Sequence, residues 1–174
     1  MTSLMHIWDK AQFKSNLWIS KLSDELGWAN APLTLLGLRA VLHALRDRLP
    51  PDEAVELSAQ MPLIIKGVYF DGWDPSATPV KARTKEEFLG LVRIRLQRAA
   101  RDVDAERLTR AVFRLIADRV SEGEIRDVRG MLPSEVAELW PAAAPPAAEV
   151  EKTDITFLDS SAASVSDTMQ AGVR

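Results

Sequence analysis

"LRAVLHALRDRLPPDEAVELSAQMPLIIKGVY", residues 38–69, decides the fold, because residues 109–140, "TRAVFRLIADRVSEGEIRDVRGMLPSEVAELW", repeat it 71 positions later. Arg39-Ala40-Val41 aligns with Arg110-Ala111-Val112, Asp47-Arg48 with Asp118-Arg119, Glu53 with Glu124, and Pro62 with Pro133. Apolar positions keep step: Leu42 with Phe113, Leu45 with Ile116, Leu57 with Val128, Tyr69 with Trp140. Upstream, Leu17-Trp18 falls on Phe88-Leu89. One offset held without a gap over so many positions points to a duplicated unit, and an internal repeat governs the architecture.

Each copy reads as helices. Leu35, Leu38, Leu42, Leu45 and Leu49 step by threes and fours, the period of one helix face. Asn30 and Pro32 suit that helix's start, where an asparagine side chain caps free amides and proline loses no needed donor. Pro50-Pro51 ends it and opens the next helix, with Asp52 and Glu53 at the positive end of the dipole. Pro62 opens a fourth. Trp18, Leu22 and Leu26 mark a first helix that Gly27 closes. In the second copy, "TKEE" at 84–87 and "SEGE" at 121–124 match the capping box, and Pro133 opens a short last helix ending near Trp140. No segment alternates long enough to make a strand. The expected fold is all-α: a helical bundle of two tandem four-helix repeats with a flexible C-terminal tail. Residues 1–140 form the helical domain, with repeat one at 9–73, repeat two at 84–140, and 74–83 joining them. Residues 141–174 are a proline-alanine linker and a low-complexity tail.

A hydrophobic content of 47% with 27% charged residues is the balance of a globular protein able to bury a core. The net charge of −3 favours neither nucleic acid nor membrane. No apolar run approaches the length of a membrane span, and the first residues lack the pattern of a secretion signal, so a cytoplasmic location is expected. There is no cysteine, which removes disulfides, thiolate nucleophiles and cysteine metal sites.

Charge concentrates in residues 81–110, with nine Lys or Arg against five acids. Arg93, Arg95, Arg98 and Arg101 are the candidate anion-binding residues. They step by two and three, so on a helix they fan over a broad arc while Phe88, Leu91, Val92 and Leu96 face inward. That is the pattern of a solvated helix face, and it lacks the interleaved aromatics that stack on bases. Trp28 and Trp73 follow glycines at helix ends and are candidate partner-binding residues. So are Ile155, Phe157 and Leu158, the tail's one apolar knot, because a linear segment can dock on a partner.

The chemistry of catalysis is missing from the pattern. Neither a phosphate-binding glycine loop nor a GxSxG elbow is present. The two histidines, His6 and His43, have no glutamate three residues before them, which fails the bundle-core iron pattern. No catalytic, cofactor-binding or metal-binding residue is expected. His43, four residues from Arg39 and Asp47, reads as a surface histidine bonded to Asp47. Asp71 and Asp74 in "FDGWDP" read as turn residues.

With both related stretches and "EEFLGLV" in view, residues 9–140 resemble the bacterial domain of unknown function 2267 family. The resemblance rests on "LRAVLHALRDRLP" and on the spaced residues of "GEIRDVRGMLPSEVAELW". It implies an all-helical, two-repeat fold and no activity. The expected function is a non-catalytic interaction module with a protein partner; nucleic acid is not the expected partner, and self-association stays open. The alternatives are an anion-binding regulator acting through residues 81–110, and a small-molecule-binding protein with its site between the repeats.

Overall fold

The computed structural model describes residues 2–96, 100 and 102–142, with side chains from Met5 onward. The expected flexible tail, with Ile155, Phe157 and Leu158, lies outside the described residues, as do Arg98 and Arg101. The described residues form eight α-helices and no strand: α1 (Thr2–Leu26), α2 (Ala31–Arg48), α3 (Pro51–Ala59), α4 (Leu63–Phe70), α5 (Lys85–Leu96), α6 (Ala105–Ala117), α7 (Glu122–Met131) and α8 (Ser134–Ala137). A 3-10 turn at Pro75–Ala77 lies between α4 and α5.

Local chemistry sets these boundaries. Asn30 caps α2 by accepting from the Leu33 amide at 3.0 Å. Gly27, at φ +69°, turns the chain out of α1, and the Trp28 amide reaches back to the Ser23 carbonyl at 2.9 Å. Thr84 and Glu87 build a reciprocal capping box: the Glu87 amide donates to Thr84 Oγ1, and the Thr84 amide to Glu87 Oε2, both at 3.2 Å. At α7 the box is only half made. Ser121 Oγ accepts from the Glu124 amide at 3.4 Å, but the Ser121 amide donates to Gln60 Oε1 at 2.8 Å instead of to Glu124.

α2 is the central helix. Leu38, Ala40, Val41, Leu42, Ala44 and Leu45 are all buried, so it is covered on several sides, by α1, α4, α5 and α6. The expected stripe holds from Leu38 to Leu49, whereas Leu35 at its start is 41% exposed. Gly37 lets neighbours approach closely: a Cβ there would lie 3.0 Å from Leu108 and 3.3 Å from Trp28. A second layer of packing joins α5, α6 and the segment after α8, where Phe113 stacks on Trp140 with centroids 4.3 Å apart and Phe88 lies 5.9 Å from Phe113.

The buried guanidinium of α2 is fully engaged. Arg46, 3% exposed, donates to the carbonyls of Tyr69 at 2.5 Å and Asp71 at 3.1 Å and to the Asp47 carboxylate at 2.7 Å. Such satisfaction is what lets a guanidinium leave water without a large penalty. The segment between α4 and α5 is fastened to the end of α2 by Val80 N–H to Asp47 O at 2.7 Å and Arg48 Nε to Ala82 O at 3.0 Å.

Candidate functional site

The basic stretch is drawn into ion pairs. Arg93 bonds Glu86 on its own helix at 2.5 Å, and Arg95 reaches across to Asp47 of α2 at 2.5 Å. The two guanidiniums thus engage separate acids, one exposed and one partly buried, and do not converge on a common point. Arg95 also carries a packing role, since Asp47 is shared with the buried Arg46. Lys85 pairs with Glu106 at 3.1 Å.

The sequence did not single out a second run of arginines. Arg107, Arg110 and Arg114, spaced by three and four on α6, border an open groove against the C-terminal half of α1. Each is held by the protein itself: Arg107 by the Leu26 carbonyl at 3.0 Å, Arg110 by Glu106 at 2.7 Å, and Arg114 by Glu25. Their spacing was the available signal, but it equally describes helix-surface ion pairing.

Trp28 and Trp73 are both half-buried and pack against the core, Trp28 over Gly37 and Trp73 on Phe70 with centroids 5.1 Å apart. Neither stands clear of the body. His43 corrects the surface expectation: it is 7% exposed, and its Nε2 bonds the Val68 carbonyl at 2.6 Å, not Asp47. α4 covers the face of α2 that periodicity alone had left open to solvent. Burial holds His43 below its ordinary value; the Val68 bond opposes this, and Arg46 and Arg39 reinforce it. Asp74 is a turn residue, accepting from the Ser76 amide at 3.0 Å and its hydroxyl at 2.6 Å, which hold its carboxyl below the ordinary range. Among the described residues, no three Asp, Glu or His side chains gather as a metal site.

What stands out is the first half of α1. Its 25 residues make about 38 Å of helix, whereas the 18 of α2, running back along it after a short turn, make about 27 Å. The surplus is an overhang on which every residue from Met5 to Lys10 is exposed. Trp8, Ala11, Ser15, Trp18 and Leu22 form one stripe by steps of three and four. Ala11 through Leu22 on this stripe are buried, while Trp8 is 65% exposed, so the core-facing seam runs past the end of its cover. A second, outer stripe of Ile7, Lys10, Lys14, Leu17 and Lys21 follows the same steps, with Phe13 beside it one turn before Leu17. Phe13 is 69% and Ile7 54% exposed, and all three lysines are exposed. Scattered exposed apolar residues are ordinary; here Met5, Ile7, Trp8 and Phe13 gather on one helix and cross two of its faces.

A family model described as "Uncharacterized conserved protein (DUF2267)" matches residues 15–139. The matched part contains α2 to α8 and the packed half of α1, and it leaves out Met5 through Phe13. No curated protein matches the chain.

Proposed function

The chain belongs to the DUF2267 family, and from that premise we propose a non-catalytic role: a helical interaction module that binds a protein partner through the exposed half of α1. The observation that carries the reading is the group Met5, Ile7, Trp8 and Phe13, more than half exposed on one helix. An amphipathic helix presenting anchors at such spacing fits a partner's apolar groove. Lys10, Lys14 and Lys21 interleave with the outer anchors, so the complementary groove carries an acidic rim. A second copy fits this face poorly. Antiparallel self-pairing that matches Ile7 with Leu17 sets Lys10 against the partner's Lys14, and like charges there repel.

The two tandem four-helix repeats belong to the same proposal. Their support is that α3 and α7 start at Pro51 and Glu122, and α4 and α8 at Leu63 and Ser134, each pair keeping the 71-residue offset. A cytoplasmic setting is part of this reading too.

Differential capture tests the function. Full-length protein is compared with the double variant Trp8→Ser/Phe13→Ser, whose folding is checked by circular dichroism and thermal midpoint. A specific partner is retained by the first, lost by the second, and weakened by salt and by Lys14→Glu, because rim charges act through screened attraction. Equal recovery on both proteins would sink the proposal.

A further inference from the structure

The 71-residue offset carries the second half of α1 onto α5, and α2 onto α6, so the contacts of α2 with α5 and of α6 with α1 are equivalent. The two close differently. Between α2 and α5, Val92 and Leu96 are 0% and 2% exposed, His43 is 7% exposed, and Arg95 bonds Asp47 across the pair at 2.5 Å. At the same places between α1 and α6 stand Lys21 for Val92, Glu25 for Leu96, Arg114 for His43 and Asp24 for Arg95. Three of these put charge where the other pair has covered side chains. The fourth removes the tie, because Asp24 and Asp118, the counterparts of Arg95 and Asp47, are both acids.

The unsealed pair leaves a groove. A cavity of about 340 Å³ is lined by Lys21, Glu25, Arg114, Asp118 and Arg119, together with the buried Leu22. Another, of about 390 Å³, adjoins it toward the start of α6. Glu25 and Arg114 belong to both, and their ion pair, running from α1 to α6, divides one from the other. Cavities of about 300–1,000 Å³ are the size of small-molecule sites. Among the described residues no carboxylate pairs with Lys21 or Arg119, whereas Arg114 is shared with Glu25.

Resting on the tandem-repeat reading, and independent of the docking face, we propose that this groove binds a small hydroxylated phosphate monoester. The dianion sits between Lys21 and Arg119, and Arg114 turns from Glu25 to complete the seat. Ammonium and guanidinium donors give phosphate its strongest hydrogen bonds, which offset the loss of an exposed ion pair. Releasing that pair joins the two cavities and makes room for the rest of the molecule. Asp118, an acceptor in the same cavity, takes a hydroxyl of the ester's carbon chain.

An amide NMR titration of the full chain with glycerol 3-phosphate, at pH 8 and low salt, reads both place and affinity. Shifts gather on the second half of α1 and on α6, and binding weakens as salt rises. Lys21→Gln and Arg119→Gln each lose about tenfold in affinity, the worth of one charge-assisted hydrogen bond. Glu25→Gln binds more tightly, because Arg114 starts free. Glu86→Gln, which removes the same charge from the pair with Arg93 outside the groove, leaves affinity unchanged. Inorganic phosphate binds more weakly than the ester, and glycerol does not bind. The proposal is overturned by an absence of shifts in α1 and α6, or by an affinity that Arg119→Gln leaves intact. Equal gains from Glu25→Gln and Glu86→Gln would also overturn it, since overall charge would then account for the binding.

Discussion

Gly37→Ala puts opposing effects of known size at one point. In a helix interior, alanine is favoured over glycine by about 1 kcal/mol, so the substitution stabilises wherever there is room. At Gly37 there is none: the new Cβ would lie 3.0 Å and 3.3 Å from the two Leu108 methyls and 3.3 Å from Trp28 Cζ3. Leu108 is fully buried where its own helix, α6, packs on α2, which leaves it little room to swing away. Overpacking of a closed site costs about 1–3 kcal/mol, which exceeds the propensity gain. The net expectation is a loss of about 1 kcal/mol, or about 4 °C in thermal midpoint for a body of this size. Gly67→Ala in α4 and Gly90→Ala in α5 are the controls, because a Cβ at either position meets nothing within 4 Å. Both gain about 0.5–1 kcal/mol. Thermal and urea unfolding of the three variants decides the matter. If Gly37→Ala rises in midpoint alongside the controls, the corner of Trp28, Gly37 and Leu108 is not the tight contact that fixes where α1 points.

Two further outcomes follow from buried groups. His43 sits below its ordinary value of 6.5. The unfolded chain therefore takes the proton first, and stability falls as pH drops through 6.5 toward the lowered value. His43→Gln removes that fall, and comparing the two proteins' urea midpoints between pH 8 and pH 5 isolates it; identical profiles would refute a buried neutral imidazole. Arg46→Met strips donors from the Tyr69 and Asp71 carbonyls while Asp47 keeps Arg95. A loss of about 3 kcal/mol is expected in chemical denaturation, and a loss under about 1 kcal/mol would show that water replaces the guanidinium.

Helix starts were legible in the sequence because their causes are local. Asn30, Thr84 with Glu87, Ser121, Pro51 and the prolines before α4 and α8 each act within a turn of where they stand. Depth was not legible, since periodicity tells which residues share a face but not how many neighbours that face meets. His43 and Arg46 lie off the leucine stripe, yet α4 closes over them, because α2 is wrapped rather than laid on a surface. Leu35 lies on the stripe and remains exposed, being beyond what the neighbouring helices cover. Glu124 shows how a distant contact overrides a local signal. Its spacing from Ser121 predicts a returning carboxylate, but Gln60, 61 residues away, takes the Ser121 amide instead. Of the candidate site, the local surplus of charge could be read from the sequence, whereas the partners of Arg93 and Arg95 and the exposed half of α1 could not. Its residues look like any helix until the shorter length of α2 shows where the cover ends.

That difference in length bears on the proposed docking role, because it leaves the overhang ordered in advance. A helix shorter than roughly 12–15 residues is marginal in water, because nucleating its first turn costs more than each later bond returns. Met5 to Lys10 escape that cost by extending a helix already held at Trp18, Leu22 and Leu26. Under the proposed role, a partner meets anchors that are helical beforehand, and binding avoids much of the backbone ordering that a free peptide would require, about 1–2 kcal/mol per residue. Preorganisation of this kind depends on the body: anything that loosens the grip on Trp18 and Leu22 frays the face before it unfolds the core. Affinity for the proposed partner should therefore drop in core variants such as Leu22→Ala at temperatures where α2 to α8 are still folded, whereas an equal truncation in α3, such as the fully buried Leu57→Ala, leaves it unchanged. Equal loss of binding in both variants would mean that the face is ordered by its partner and not by the body beneath it.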